Sequence, residues 1–164
     1  MFKPHFQEFA AYNQWVNARM YDEAAALPDE ARKRDIGLFF RSLHGTLNHL
    51  VVADRIWLRR MTGEGPDPKR LNEIPYEDFA ELRAAREAED VRIIRYVDSL
   101  TEDAIAGALE YRTTSGKPHT QHLRAVLAHF FNHQTHHRGQ VHAALTILGV
   151  PEPQSFDLLG FQRR

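Results

Sequence analysis

The stretch HFFNHQTHHRGQVH, residues 129–142, carries five of the ten histidines in the chain. Imidazole both titrates near neutral pH and ligates divalent metals, so the spacing of these residues decides what they can do. On a helix each residue advances about 100°, which sets His133 and His137 about 40° and one turn apart. Two imidazoles at i and i+4 on one face can share a metal ion. His129 lies at the same angle on the other side of His133 and stays open as a further member. His136 turns away from the apolar face of Phe130, Val141 and Leu148, and His142 points nearly opposite His133.

A third ligand must come from another helix at matching depth. His49 lies about halfway along a second helical segment, as His133 and His137 lie about halfway along theirs. Ser42, Gly45 and Ala53 surround it with small side chains, which lets a metal site or another backbone approach. His44, five residues earlier, is turned about 140° away and is expected to face solvent. Three neutral imidazoles leave a divalent ion its full charge and at least one open position, as in catalytic zinc sites. Such an ion lowers the pKa of bound water to about 7 and deprotonates a bound thiol. Zinc is the first choice for an imidazole site, with nickel, iron, cobalt and manganese open.

The residue after His133 is Gln134, where zinc proteases carry the glutamate that acts as base. A base would have to come from elsewhere, and Asp90, Asp54 and His129 are the candidates. Arg86 and Asp90 also read as an i, i+4 ion pair at a bundle surface. Asp54 equally reads as an ion-pair partner or hydrogen-bond acceptor near Arg138. Asn13 is either a buried hydrogen-bonding residue or a group supporting the metal ligands, and Gln140 shares the His133 face. Arg138 is expected to anchor helices and Gly139 to permit close packing.

Positioning these residues falls to four amphipathic segments. Prolines at 4, 28, 66, 68, 75, 118, 151 and 153 mark the breaks, because helix interiors reject proline. Pro4–Leu27 carries Phe6, Phe9, Val16, Met20, Ala24 and Leu27 on one stripe. Ile36–Met61 carries Phe39, Leu43, Leu47, Leu50, Trp57 and Met61. Pro75–Leu100 carries Phe79, Leu82, Ile93, Ile94, Val97 and Leu100. Thr120–Leu148 ends at Gly149 with Pro151 beyond, a good helix stop. These predict an all-α four-helix bundle as one domain over 1–164, with Ser115–Gly116–Lys117 turning a small β-hairpin between the third and fourth helices. The C-terminal PEPQSFDLLGF has apolar residues to cover a core or a partner.

Composition narrows the function. The chain has 164 residues, 21 basic and 22 acidic side chains, and a formal charge of −1, which argues against nucleic acid. It contains no cysteine, so thiolate metal sites and thiolate nucleophiles are excluded. The start shows no secretory signal, and no apolar run spans a membrane, so a cytoplasmic protein is expected.

The stretches TLNHLVVADRIWLRRMTG (46–63) and LAHFFNHQTHHRGQVHAALTILG (127–149) resemble the two signature regions of the DinB family, and FAAYNQWVNARMYDEAAALP (9–28) resembles its first helix. The resemblance implies a DinB/YfiT-like bundle, a homodimer, and metal ligands at His49, His133 and His137. It implies a metal-dependent enzyme that transfers bacillithiol, mycothiol or glutathione to an electrophile. The alternatives are a metal-dependent hydrolase and a non-enzymatic metal-binding stress-response protein.

Overall fold

The computed structural model describes residues 1–164. Helix α1 spans Lys3–Ala25, with Pro4 in its first turn, where no backbone donor is needed. A short α2 covers Asp29–Lys33. Helix α3 spans Leu43–Thr62; the Ser42 hydroxyl accepts from the Gly45 amide at 3.0 Å, and Gly63 closes the helix at φ 75°. Helix α4 spans Phe79–Ser99 and begins at Asp78, whose carboxylate caps the Glu81 amide. After a short α5, Glu102–Ala106, strands β1 (Ala108–Arg112) and β2 (Pro118–His122) pair antiparallel, with Gly116 at φ 83° in the turn. Helix α6 spans Leu123–Ile147, and α7 covers Leu158–Gln162.

The expected bundle and hairpin are both present, but three helix starts move. Helix α3 begins at Leu43 rather than Ile36 because residues 36–41 form a tight turn, with a bridge between Leu38 and Arg41 and Arg41 at φ 68°. Phe39, expected on the buried stripe, is therefore 84% exposed. Helix α4 starts beyond Pro75 because Asp78 provides the cap. Thr120 belongs to β2, and α6 takes over at Leu123. The turn before α3 needs Gly45: a Cβ there would lie 2.2 Å from the Phe40 carbonyl oxygen. The approaching backbone anticipated around His49 is thus that of Phe40.

Two apolar clusters fix the helix directions. One joins Met20, Ala24, Leu43, Leu47, Leu82, Val141 and Leu145; the other joins Phe6, Leu58, Ile93, Val97, Leu127 and Phe130. Helices α3 and α4 therefore run parallel, and each is antiparallel to α1 and α6. A parallel neighbour requires the chain to travel back along the bundle, and residues 63–78 make that return. The return segment passes over α3: the Tyr76 carbonyl accepts from Asn48 and lies 2.8 Å from His44 Nε2. His44, expected at the surface, is consequently buried at 3% exposure. At the C-terminus, Phe161 packs against Tyr12 and Trp15, and Tyr12 donates to the Phe156 carbonyl.

Between the two apolar clusters lies a polar layer. Arg86 Nη1 donates to Asp54 Oδ2 at 2.6 Å, and Arg86 Nη2 lies 3.0 Å from Asp90 Oδ1. Asp90 also accepts from Asn17 at 2.8 Å, and Arg138 donates to Asn13 Oδ1 at 2.6 Å. Gln134 donates to Asp54 Oδ1, joining α6 to α3. Arg86 and Asp90 are 1% and 3% exposed, so the pair expected at the surface sits in the bundle centre. Arg138 anchors α6 to α1 as expected, but Gly139 is exposed and no neighbour would meet a Cβ there.

Two substitutions test this framework. Asp54→Ala leaves Arg86 buried without its closest carboxylate and is expected to cost about 3–5 kcal/mol. Gly45→Ala forces the Phe40 carbonyl away and is expected to cost about 1–3 kcal/mol. Thermal unfolding, at roughly 2–4 °C per kcal/mol for a chain of this size, reads both.

Candidate metal centre

His49 comes from the middle of α3, and His133 and His137 come from successive turns of α6. Their Nε2 atoms form a nearly equilateral triangle: 3.3 Å from His49 to His133, 3.2 Å from His49 to His137, and 3.1 Å from His133 to His137. No other histidine or acidic side chain joins the group. Helix α6 supplies two corners through its own pitch. The third depends on how α3 is held against α6, and the Asp54–Gln134 bond on the same two helices sets that relation.

Hydrogen bonds fix two of the rings. His49 Nδ1 lies 2.8 Å from the Leu71 carbonyl, which can only accept, so this nitrogen carries the proton. His137 Nδ1 lies 2.7 Å from Gln140 Oε1, in the supporting position expected for Gln140. Both contacts leave a bare Nε2 lone pair facing the centre. Phe40 stacks on the His49 ring at 3.8 Å between centroids and 16° between planes, holding it from the outside.

The site favours neutral imidazole. Burial pushes the His49 imidazole down to about 4, with neighbouring His137 acting in the same direction. It pushes His133 down to about 3, and the other histidines add to the shift. His137 is also lowered, again by burial first. Lone pairs about 3 Å apart repel unless a cation lies among them. With metal–nitrogen bonds of about 2.0–2.1 Å, a tetrahedral ion separates its nitrogens by roughly 3.4 Å and an octahedral ion by about 3.0 Å. The observed triangle falls between these values, so the three histidines fit a divalent ion.

The other sequence-predicted residues are placed differently. His129 is exposed, with its ring 6.0 Å from that of His133 and 5.1 Å from that of Trp57. His136 is exposed beside Gln140, and half-buried His142 stacks on Phe156. Asp54 and Asp90 are engaged in the central polar layer, and neither bonds a metal-site histidine. Burial raises both carboxyls, Asp54 to about 7, against the lowering effect of Arg86. Asn13 spans Arg138 and Asp90 as a buried hydrogen-bonding residue. Sequence reasoning missed the Leu71 carbonyl and Phe40. A backbone carbonyl has no residue-type signature, and Phe40 reads as part of a helix until the turn at 36–41 is known.

A bundle with three convergent histidines and no fourth histidine or carboxylate beside them defines a class of helical proteins able to hold one metal ion. The DinB family model matches residues 1–163, and the chain belongs to that family. Protein DinB of Bacillus subtilis (strain 168) is 25% identical over 158 residues, covering 93% of this chain and 92% of the relative. The crystal structure of a DinB-like protein from Bacillus cereus ATCC 10987 superposes with a TM-score of 0.74 at 18% identity, covering 94% of this chain and 99% of the other.

Replacing His49, His133 or His137 by alanine is expected to remove most bound metal as measured by elemental analysis, whereas His44→Ala and His142→Ala retain it. Equal retention in all five variants would refute the site. The acid limit offers a second check. Protons compete for a ligand only below its own pKa, so binding at ordinary histidines weakens below about pH 6.5. Burial lowers all three ligand histidines here, so equilibrium dialysis is expected to find metal binding persisting to lower pH than at ordinary histidines.

Proposed function

We propose that the chain is a metal-dependent S-transferase that delivers a low-molecular-weight thiol to an electrophilic substrate. The observation that carries this reading is a triangle of three imidazole nitrogens 3.1–3.3 Å apart, with no fourth histidine or carboxylate in the group. A bound zinc or similar divalent ion supplies a positive charge that holds a thiol as thiolate at neutral pH. The protein's contribution is to bring three imidazole nitrogens to one point, with the lone pairs of His49 and His137 directed there. The Leu71 carbonyl and Gln140 hold the His49 and His137 tautomers, and Phe40 limits ring rotation and keeps water from one side.

The hydrolase alternative would use metal-bound hydroxide assisted by a base beside the site, and of the candidates His129 is exposed with its ring 6.0 Å from that of His133. Both buried carboxylates considered for that role are committed to Arg86, and Gln134 is committed to Asp54. A thiol is far more acidic than water, with a pKa of about 8.5 against about 15.7, so a divalent ion held by these histidines would favour its thiolate with the proton released to solvent and no positioned carboxylate required.

The test is to incubate zinc-, nickel- and manganese-loaded protein with bacillithiol, mycothiol or glutathione and a chloro-dinitroarene. Conjugate formation is expected with at least one thiol and is expected to fall at least 100-fold in His133→Ala. No turnover with any thiol, combined with cleavage of an ester, amide or lactone, would replace this reading with hydrolysis. Inertness toward all of them would leave a binding protein.

A further inference from the structure

A cleft lies beyond the metal centre, where the end of α3, the return segment and the hairpin meet. Arg59, Arg60, Asp67, Lys69, Arg112, Thr113 and Ile56 line a cavity of about 360 Å³. Four cations thus face one carboxylate, in a chain whose basic and acidic residues otherwise nearly balance. Asp67 is engaged by Lys69, so Arg59, Arg60 and Arg112 stand without an acidic partner.

Two of these arginines are held in place without being neutralised. The Arg60 guanidinium lies 4.5 Å from the Trp57 ring centroid and 5.5 Å from that of Tyr111. Arg112 Nη1 donates to the Gly116 carbonyl at 3.0 Å across the hairpin turn. Stacking occupies the face of a guanidinium and leaves its edge donors free, the geometry that receives an oxyanion. Burial lowers the Arg60 pKa, so this cation carries a desolvation cost that an incoming anion would offset.

The cleft is coupled to the metal centre through shared elements. Ile56 lies two turns, about 10 Å along the axis, from His49 on α3. The segment that carries Asp67 and Lys69 continues to Leu71, whose carbonyl holds His49. Trp57, beneath Arg60, touches His129, and His129 adjoins His133.

We infer that this cleft binds the oxyanion end, carboxylate or phosphate, of a small molecule whose reactive end reaches the metal centre. This deepens the proposed transfer reaction and rests on it for the second half of the statement. The cavity suits a small molecule, and the overall charge of −1 does not suit a polynucleotide.

The experiment titrates the full chain calorimetrically, at low salt, with tricarballylate and separately with inorganic phosphate. The proteins are zinc-loaded wild type, His49→Ala, the double variant Arg59→Gln/Arg112→Gln, and Arg163→Gln as an exposed control with the same loss of charge. At least one anion is expected to bind, about tenfold or more weakly in the double variant, and unchanged in His49→Ala and Arg163→Gln. The tighter anion identifies carboxylate or phosphate as the recognised group. Three results would overturn the assignment: binding of neither anion, loss only in His49→Ala, which puts the anion on the metal, or equal weakening by Arg163→Gln. If the anion binds as expected but no thiol is turned over, the cleft stands and only the reaction falls.

Discussion

Arg86 is a buried cation in the middle of a helical bundle, and its contacts with two carboxylates tie together the helices around it. Its guanidinium engages Asp54 on α3 and Asp90 on its own helix. Those carboxylates in turn engage Gln134 on α6 and Asn17 on α1. A charge removed from water is tolerated only when such partners are held at correct distances, so the layer admits little sliding of one helix past another. Apolar packing above and below it is less demanding, because hydrophobic contacts are non-directional.

The metal centre benefits from that restriction. Asp54 and Gln134 lie on the same two helices as the histidines, one to two turns from His49 on α3 and beside His133 on α6. Fixing that contact fixes the depth at which α3 meets α6, and with it the third corner of the nitrogen triangle. Structure and site are therefore not independent. The polar layer faces the bundle interior, and the ligands face the side covered by the return segment.

The return segment links topology to chemistry. Because α3 and α4 are parallel, residues 63–78 run back along α3. Their carbonyls at Leu71 and Tyr76 reach His49, His44 and Asn48. One of those contacts orients a metal-site ring, and another buries a histidine that helical geometry alone would leave in water. The same segment forms one wall of the cationic cleft.

Much was legible from residue spacing: four helical stripes, the proline-marked breaks, the hairpin at Gly116, and the convergence of His49, His133 and His137. These rest on local periodicity, on the exclusion of proline from helices and on depth matching, which a sequence carries directly. Gln140 was legible from its place on the His133 face, although the ring it supports is that of His137. The burial of His44, the position of Phe40, the role of the Leu71 carbonyl and the placement of Arg86 and Asp90 at the centre were decided by tertiary structure. Each depends on which element lies over which, and helical period reports a residue's direction on its own helix without saying what covers that face.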